Sequence, residues 1–143
     1  MEYISKNSAD TKKIAAEFVK TLHEGDVICM YGDLGAGKTA FAQGLAQGLN
    51  IGEPITSPTF TIVNEYYGDL PLYHFDVYRI ADPDEMYEVG YEEYVYGDGV
   101  SVIEWAELIE DILPENRYNV TIKKDMAKGE DYRKIIIERI EKQ

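Results

Sequence analysis

The segment that most constrains this chain is the glycine-rich stretch GDLGAGKT at residues 32–39. It follows an apolar run at residues 26–31 and precedes AFAQGLAQGL, whose pattern is helical. The eight residues match G-x-x-x-x-G-K-[ST], the phosphate-binding loop or P-loop, in the strand–loop–helix context that the pattern requires. A buried strand that passes through such a loop into a helix predicts an α/β fold with a central sheet.

The chemistry of a bound phosphate explains the residue types in this loop. Glycines let consecutive backbone N–H groups turn towards an anion, and the helix that begins near Lys38 directs its positive dipole end to the same point. In such loops the lysine reaches the β- and γ-phosphates, and the hydroxyl of the next residue, here Thr39, binds Mg²⁺. We therefore predict a nucleotide site formed by Asp33, Leu34, Gly35, Ala36, Gly37, Lys38, Thr39 and Ala40.

A P-loop site also needs a carboxylate for its metal ion, normally at the end of a neighbouring strand. The extended run LYHFD ends at Asp76, which we predict to bind Mg²⁺, directly or through water. A helix cap or an ion pair with Arg79 is the alternative interpretation of Asp76. Because side chains alternate along a strand, His74 lies on the same face as Asp76. A packed core histidine is the more ordinary interpretation of His74.

Three further residues become candidates once a P-loop is present. Glu104 and Trp105 follow the apolar run at residues 100–103, and ligands of open α/β sheets bind beyond the carboxyl ends of the strands. A carboxylate there would orient or deprotonate a water molecule, would bind Mg²⁺ together with Thr39 and Asp76, or would cap the next helix. Trp105 is either a core residue or an anchor for a partner. Thr59, in SPTF, resembles the loop hydroxyls that sense Mg²⁺ and γ-phosphate, with a simple turn as the alternative.

The remaining patterns complete the predicted fold, a three-layer P-loop architecture with a mixed sheet flanked by helices. We predict strands at residues 3–5, 26–31, 61–67, 72–77, 100–103, 118–123 and 133–140. A helix is predicted from a Ser8 N-cap to Gly25, with short helical pieces on either side of Gly90 and after Trp105. Two hairpins make the sheet mixed. Residues 1–143 are predicted to form a single nucleotide-binding domain.

The charge distribution argues against direct contact with nucleic acid. The net charge is −13, and residues 39–78 and 80–116 contain no Lys or Arg. Proteins that bind nucleic acid draw affinity from cations that neutralise phosphates, so autonomous binding of RNA or DNA is not expected. Residues 82–98 interleave acids with tyrosines. This pattern indicates either a solvated face or a docking surface for a protein.

Composition also restricts the environment of the protein. No apolar run approaches the ~18 residues of a membrane span, and the first residues lack the pattern of a signal peptide. Cys29 is the single cysteine, so an intrachain disulfide is excluded, and a buried, inert thiol is expected. A cytoplasmic protein with no membrane partner is the resulting prediction.

In order along the chain, GDLGAGKT, SPTF, NEYY, HFDVYR and VIEWAE resemble the TsaE family of bacterial P-loop ATPases. The resemblance covers most of the chain, from about residue 26 to 114. It departs from the family at Ala40, where relatives often carry a second threonine. The loss of that hydroxyl leaves Thr39 in place, so we expect activity to be retained.

The resemblance implies a role in making the threonylcarbamoyl modification of a tRNA adenosine, together with TsaB and TsaD. It implies that ATP is bound and hydrolysed to cycle the partner complex, and that tRNA is met only through the partners. Lys38 and Thr39 match the family's P-loop pair and Asp76 its Walker-B-like aspartate. Thr59 matches the threonine of SPTF, and Glu104 with Trp105 matches its functional Glu-Trp pair.

Other classes of function stay open at this level. A nucleotide-sensing adaptor would bind ATP and a partner without needing turnover. A small-molecule or nucleoside kinase would normally close an arginine-bearing lid, and the sequence shows no basic lid segment. A GTPase is disfavoured because the nearest guanine-reading pattern, at residues 122–125, begins with Ile122. Arg79 is the one cation between the P-loop and residue 116, so slow hydrolysis and activation by partners are expected.

Overall fold

A computed structural model describes residues 1–33, 36–56, 58, 62–78 and 80–142. The strands are β1 (Glu2–Ser5), β2 (Val27–Tyr31), β3 (Val63–Tyr66), β4 (Leu72–Asp76), β5 (Val100–Glu104), β6 (Arg117–Lys124) and β7 (Arg133–Ile140). The helices are α1 (Ser8–Val19), α2 (Lys38–Gly48), α3 (Glu85–Glu88) and α4 (Tyr91–Val95), with 3₁₀ helices at Ala106–Ile112 and Met126–Lys128.

The described strands form one mixed sheet in the order β1-β7-β6-β2-β5-β4-β3. Its centre, β6-β2-β5-β4, is parallel. The predicted hairpins β3–β4 and β6–β7 add antiparallel strands at either side, and β1 pairs antiparallel with β7. The α/β fold class with a mixed sheet is therefore confirmed. The carboxyl ends of the four parallel strands share one edge of the sheet, which is where ligands bind in folds of this kind.

Strand β2 is buried on both faces and so separates two hydrophobic cores. Ile28 and Met30 point into a core covered by α1 and α2, whereas Val27 and Cys29 point into a core with α4 and the Ala106–Ile112 helix. This alternation explains why the run at residues 27–31 is continuously apolar. As predicted, Cys29 is buried, and burial raises the pKa of its thiol to about 12.

Helices α1 and α2 pack closely because glycine occupies the contact. A Cβ atom added to Gly44 would lie 2.3 Å from the carbonyl oxygen of Lys12, and one added to Gly48 would lie 2.4 Å from a Val19 methyl carbon. Both distances are too short for any side chain. The two glycines therefore set the position of α2, which begins at the P-loop, against α1.

The predicted limits of the first helix were wrong at both ends. Asn7, not Ser8, is the N-cap, and its side-chain oxygen accepts the N–H of Asp10 at 2.8 Å. The helix ends at Val19 rather than at Gly25. Gly25 lies in the following turn with φ of +86°, a conformation that glycine adopts without steric cost. Gly25 therefore marks the turn that enters β2 and not the end of the helix.

No helix in the described part of the chain is both long enough and apolar enough to cross a membrane.

Candidate functional site

The P-loop connects β2 to α2 through backbone conformations that favour glycine. Gly32 has φ of +150° and Gly37, the N-cap of α2, has φ of +110°. Between them, the N–H of Ala36 donates to the carbonyl of Asp33 at 3.0 Å. Leu34 and Gly35 lie outside the described residues. The described part of the loop thus enters the helix as the motif predicts.

Lys38 is the first residue of α2 and is only 5% exposed. Its Nζ has no hydrogen-bond partner among the described residues, and it lies 3.4 Å from the centroid of the Trp105 ring. Burial lowers the pKa of the ammonium, while the carboxylates of Glu104, Glu107 and Asp76 act in the opposite direction. A buried cation without hydrogen bonds is costly unless a ligand completes its environment. Lys38 therefore fits an anionic ligand such as a phosphate.

The two predicted carboxylates stand side by side at the carboxyl edge of the sheet. Asp76 ends β4 and Glu104 ends β5, and they are register partners in these parallel strands. Glu104 is buried, and Asp76 is half-buried with its Oδ1 accepting the N–H of Tyr78 at 3.0 Å. The strands bring together residues that the sequence separates widely. Both carboxylates act on the Lys38 ammonium, as its pKa reflects.

His74 is the residue whose contact the sequence did not reveal. Its Nε2 lies 2.6 Å from Oε2 of Glu104, and both side chains are buried. The interpretation of His74 as a packed core residue is correct about its burial but missed this contact. Since β4 and β5 are parallel, His74 and Glu104 share a face of the sheet two register positions apart. A correct prediction that β4 and β5 pair in this register would have predicted the contact between His74 and Glu104.

Trp105 is the first residue after β5 and has a left-handed backbone, with φ of +63° and ψ of +37°. Non-glycine residues rarely adopt this conformation, which is concentrated at functional sites. One face of its ring contacts Lys38 Nζ, and its centroid lies 4.8 Å from that of Tyr78, which is largely exposed. Trp105 therefore lies between the P-loop lysine and the surface. Trp105 also packs, partly buried, against a hydrophobic core, and its role as an anchor for a partner stays a prediction.

Arg133, at the start of β7, contacts the P-loop from the side of β2 opposite to β5 and β4. Its Nε donates to the carbonyl of Ala36 at 2.8 Å, and its Nη1 donates to the carbonyls of Glu130 and Tyr132. The contact joins residues 97 positions apart in sequence. Nothing in the local pattern around Arg133 indicates it, because the C-terminal hairpin resembles an ordinary β-ribbon.

A groove of about 410 Å³ adjoins the P-loop on the β6 side. It is lined by Gly32, Asp33, Ala36 and residues 121–124. Two of these lining residues, Lys123 and Lys124, are cations in a chain of net charge −13. The two lysines make the groove suited to an anionic or polar molecule that extends away from the P-loop.

The other predicted site residues divide into those described and those not. Thr39 is exposed at the first turn of α2, and Ala40 follows it half-buried. Thr59 and Arg79 fall outside the part of the chain that the structure describes. Among described residues no three His, Cys, Asp or Glu side chains cluster as metal ligands would. The Asp76 carboxylate at the end of β4 has the oxygen chemistry that Mg²⁺ prefers, and Mg²⁺ is held by few protein ligands plus phosphate oxygens and water. That Asp76 and Thr39 hold Mg²⁺ stays a prediction.

Residues 82–98 contribute less tyrosine to the surface than the sequence suggested. Tyr91 is buried and Tyr94 packs against the same core, where both rings contact Phe75 edge-on. Tyr87 and Tyr96 are exposed. Two of the four tyrosines in this segment are therefore exposed among its acidic residues. Whether this surface docks a protein stays a prediction.

Comparisons with known proteins identify the family of this chain. The family model described as "Threonylcarbamoyl adenosine biosynthesis protein TsaE" matches residues 5–135. The chain belongs to the TsaE family. The tRNA threonylcarbamoyladenosine biosynthesis protein TsaE of Bacillus subtilis is 46% identical over 136 residues, covering 94% of this chain and 83% of that protein. The Treponema pallidum protein of the same name is 48% identical over 122 residues, covering 85% and 89%.

The fold of the TsaE family is also found among solved structures. The crystal structure of Bacillus subtilis YdiB superposes with a TM-score of 0.80 at 42% sequence identity. The match covers 98% of this chain and 85% of that one. The family resemblance on the motifs, and the α/β fold with its mixed sheet, are thus both confirmed.

Proposed function

We propose that this protein is a magnesium-dependent ATPase that supports threonylcarbamoyl modification of tRNA adenosine by binding and cycling a complex of TsaB- and TsaD-like partners. The observation that carries the proposal is the buried Lys38 ammonium, which has no hydrogen bond among the described residues and lies beside two strand-end carboxylates. A cation in this position at the start of a P-loop helix matches the charge of nucleotide phosphates. Family membership supplies the tRNA-modification pathway.

In this proposal the P-loop residues bind the phosphates of ATP. Backbone N–H groups at the start of α2 and the Lys38 ammonium contact the phosphate oxygens. Arg133 holds the Ala36 carbonyl from behind, which fixes the orientation of the Ala36–Gly37 peptide and hence of the Gly37 N–H. The groove lined by Lys123 and Lys124 receives the nucleoside half.

The hydroxyl of Thr39 and the carboxylate of Asp76 hold the metal. When bound, Mg²⁺ neutralises charge on the β- and γ-phosphates. Glu104 would orient a water molecule and accept its proton as the water oxygen bonds to the γ-phosphorus and the bond from that phosphorus to the ADP oxygen breaks. Because Glu104 and Asp76 are register partners on rigid neighbouring strands, their separation is fixed by the sheet rather than by loops.

Slow turnover by the isolated protein is part of the proposal. Among the described residues, the cations at the P-loop besides Lys38 are Arg133, Lys123 and Lys124. Arg133 donates to a backbone carbonyl, and the two lysines line the groove. A cation that neutralises the transferring phosphoryl group contributes 10³–10⁵ in rate. Arg79, outside the described residues, is the sequence's candidate within this chain. We propose that docking of the partners completes the site, and that the acidic chain reaches tRNA only through them.

The decisive experiment measures phosphate release from Mg-ATP by the purified protein, alone and with its TsaB- and TsaD-like partners. We expect a low rate that rises at least tenfold with both partners present, and no such rise with the K38A variant. A rate that the partners leave unchanged would count against the partner-cycling function while leaving the P-loop assignment intact.

A second comparison separates the ATPase from an adaptor that only senses nucleotide. The E104A variant should bind ATP with nearly unchanged affinity but fail to support tRNA modification in the reconstituted system. If E104A supports modification at the wild-type rate, turnover is dispensable and the adaptor is the correct function.

A further inference from the structure

His74 is a fully buried imidazole in the middle of an apolar strand. Its neighbours on β4, Tyr73 and Phe75, are also buried. Placing an imidazole in such surroundings is unfavourable unless it is hydrogen-bonded. The contact that the structure gives it is to Glu104, at 2.6 Å from Nε2 to Oε2, while Nδ1 has no partner among the described residues.

The role proposed for Glu104 gives the direction of its hydrogen bond with His74. A carboxylate that acts as a base on water, as proposed for Glu104, is ionised and only accepts hydrogen bonds, so in this proposal Nε2 donates an N–H hydrogen bond to Oε2 of Glu104. The separation of 2.6 Å is at the short end for hydrogen bonds to charged groups, which are the stronger ones.

The sheet makes His74 a rigid support. It lies on β4 opposite Val102 of β5, two positions before the pair Asp76–Glu104. Its ring is packed on all sides, so it cannot follow the carboxylate if Glu104 changes rotamer. The hydrogen bond therefore favours a single orientation of the Glu104 side chain.

We propose that His74 is a positioning residue that holds the Glu104 carboxylate in the orientation needed to activate water. This inference rests on the proposed ATPase function, in which Glu104 acts on the attacking water. Loss of groups that orient catalytic ligands typically lowers activity 10- to 100-fold. The effect should fall on kcat, because His74 contacts the carboxylate and not the nucleotide-binding loop.

The test compares substitutions that keep or remove the donor. H74L fills much of the same space without a donor, and H74Q keeps an N–H group near the position of Nε2. Y73F is the matched control, since it removes a hydrogen bond to Asp98 from the neighbouring residue of the same strand. We expect H74L to lower kcat with both partners present by about 10- to 100-fold. The Kd for ATP should change less than threefold, H74Q should recover part of kcat, and Y73F should retain it.

A spectroscopic measurement tests the contact without turnover. The chain contains two histidines, and the other one, His23, is highly exposed. The two imidazoles are therefore distinguishable by ¹H–¹⁵N NMR. We expect the nucleotide-free protein to show the Nε2–H tautomer of His74 with a downfield proton that is protected from exchange. E104A should shift this signal upfield and leave the His23 signals unchanged.

Specific results would overturn the inference. If H74L keeps kcat within twofold of Y73F while E104A is inactive, His74 does not position Glu104. The same conclusion follows if H74Q is as impaired as H74L, or if E104A leaves the His74 signal unchanged. Should H74L fail to fold, H74N, which is too short to place its amide at Nε2, replaces it. If the wild type and E104A hydrolyse ATP equally, the proposed role of Glu104 fails instead, and this comparison does not involve His74.

Discussion

At Lys38, burial and the charges of nearby carboxylates shift the pKa of the ammonium in opposite directions. Burial lowers the pKa of its ammonium, whereas four nearby carboxylates, those of Glu104, Glu107, Asp76 and Asp33, raise it. The Trp105 face adds a cation–π contact, worth about 0.5–2 kcal/mol depending on desolvation. A bound phosphate would offer a stronger, charge-assisted interaction, so we expect the lysine to leave the ring when nucleotide binds.

The first prediction uses this contact as a reporter. Trp105 is the only tryptophan, so nucleotide binding should change the intrinsic fluorescence at 295 nm excitation as Nζ moves off the ring. K38A should weaken nucleotide binding about 10- to 100-fold, since hydrogen bonds to charged groups contribute about 1.5–3 kcal/mol. K142A, a change at an exposed lysine, is the control. Unchanged affinity in K38A, measured with a fluorescent nucleotide, would refute the phosphate-binding assignment.

At the scale of elements, two long-range contacts position the P-loop: the packing of α1 on α2 and the approach of β7. Helix α2 begins at the phosphate-binding residues, so any displacement of α2 displaces them. The glycines at its contact with α1 leave no room for a side chain. The site thus depends on packing remote from it.

The second prediction concerns this helix contact. G44A should destabilise the fold by about 1–3 kcal/mol, because overpacking outweighs the gain in helix propensity. G52A is the matched control, since a Cβ there meets no atom within 4 Å, and its stability should change by less than about 0.5 kcal/mol. Urea unfolding measures both. Equal stability of the two variants would show that the helices adjust without cost.

The third prediction concerns β7. R133Q removes the charge-assisted hydrogen bond to the Ala36 carbonyl and should weaken nucleotide binding about tenfold, with little change in melting temperature. K134Q is the control: it removes the neighbouring cation of the same strand, which pairs with Glu2 at the surface. Identical nucleotide affinities in R133Q and K134Q would exclude a role of Arg133 in orienting the loop.

At the scale of the whole molecule, burial on both faces of β2 makes the stability of the fold fall as the pH rises through the alkaline range. The folded protein holds the Cys29 proton up to a pKa of about 12, against 9.0 for an exposed thiol. Burial also raises the pKa of Tyr31 to about 12. Above pH 9 the unfolded chain therefore binds fewer protons than the folded one, and stability falls as the pH rises.

The fourth prediction follows from that sign. Between pH 8 and pH 10 the free energy of unfolding of the wild type should fall by about 1.4 kcal/mol more than that of C29A. The comparison isolates the thiol because the tyrosines are common to both proteins. Urea titrations at the two pH values measure it. Parallel declines in the two proteins would mean that Cys29 is ionised in the folded state as easily as in the unfolded state.

The sequence alone determined the features that depend on neighbouring residues. A P-loop is built from contiguous residues, so its motif was sufficient to locate it. The apolar run of β2, the two hairpins and the helix break at Gly90, where φ is +80°, follow from alternation and turn chemistry. The helix cap was misplaced by one residue because Asn7 and Ser8 are both good N-caps.

Only the tertiary structure decided which distant groups meet at the site. His74 and Glu104 are 30 residues apart and Arg133 and Ala36 are 97 apart, and no local periodicity encodes either pair. Strand order and register bring them together, because a sheet places side chains of neighbouring strands within hydrogen-bonding distance. The sequence thus determined the phosphate-binding loop, whereas the orientation of the Glu104 carboxylate and the support behind the loop depend on how the strands assemble.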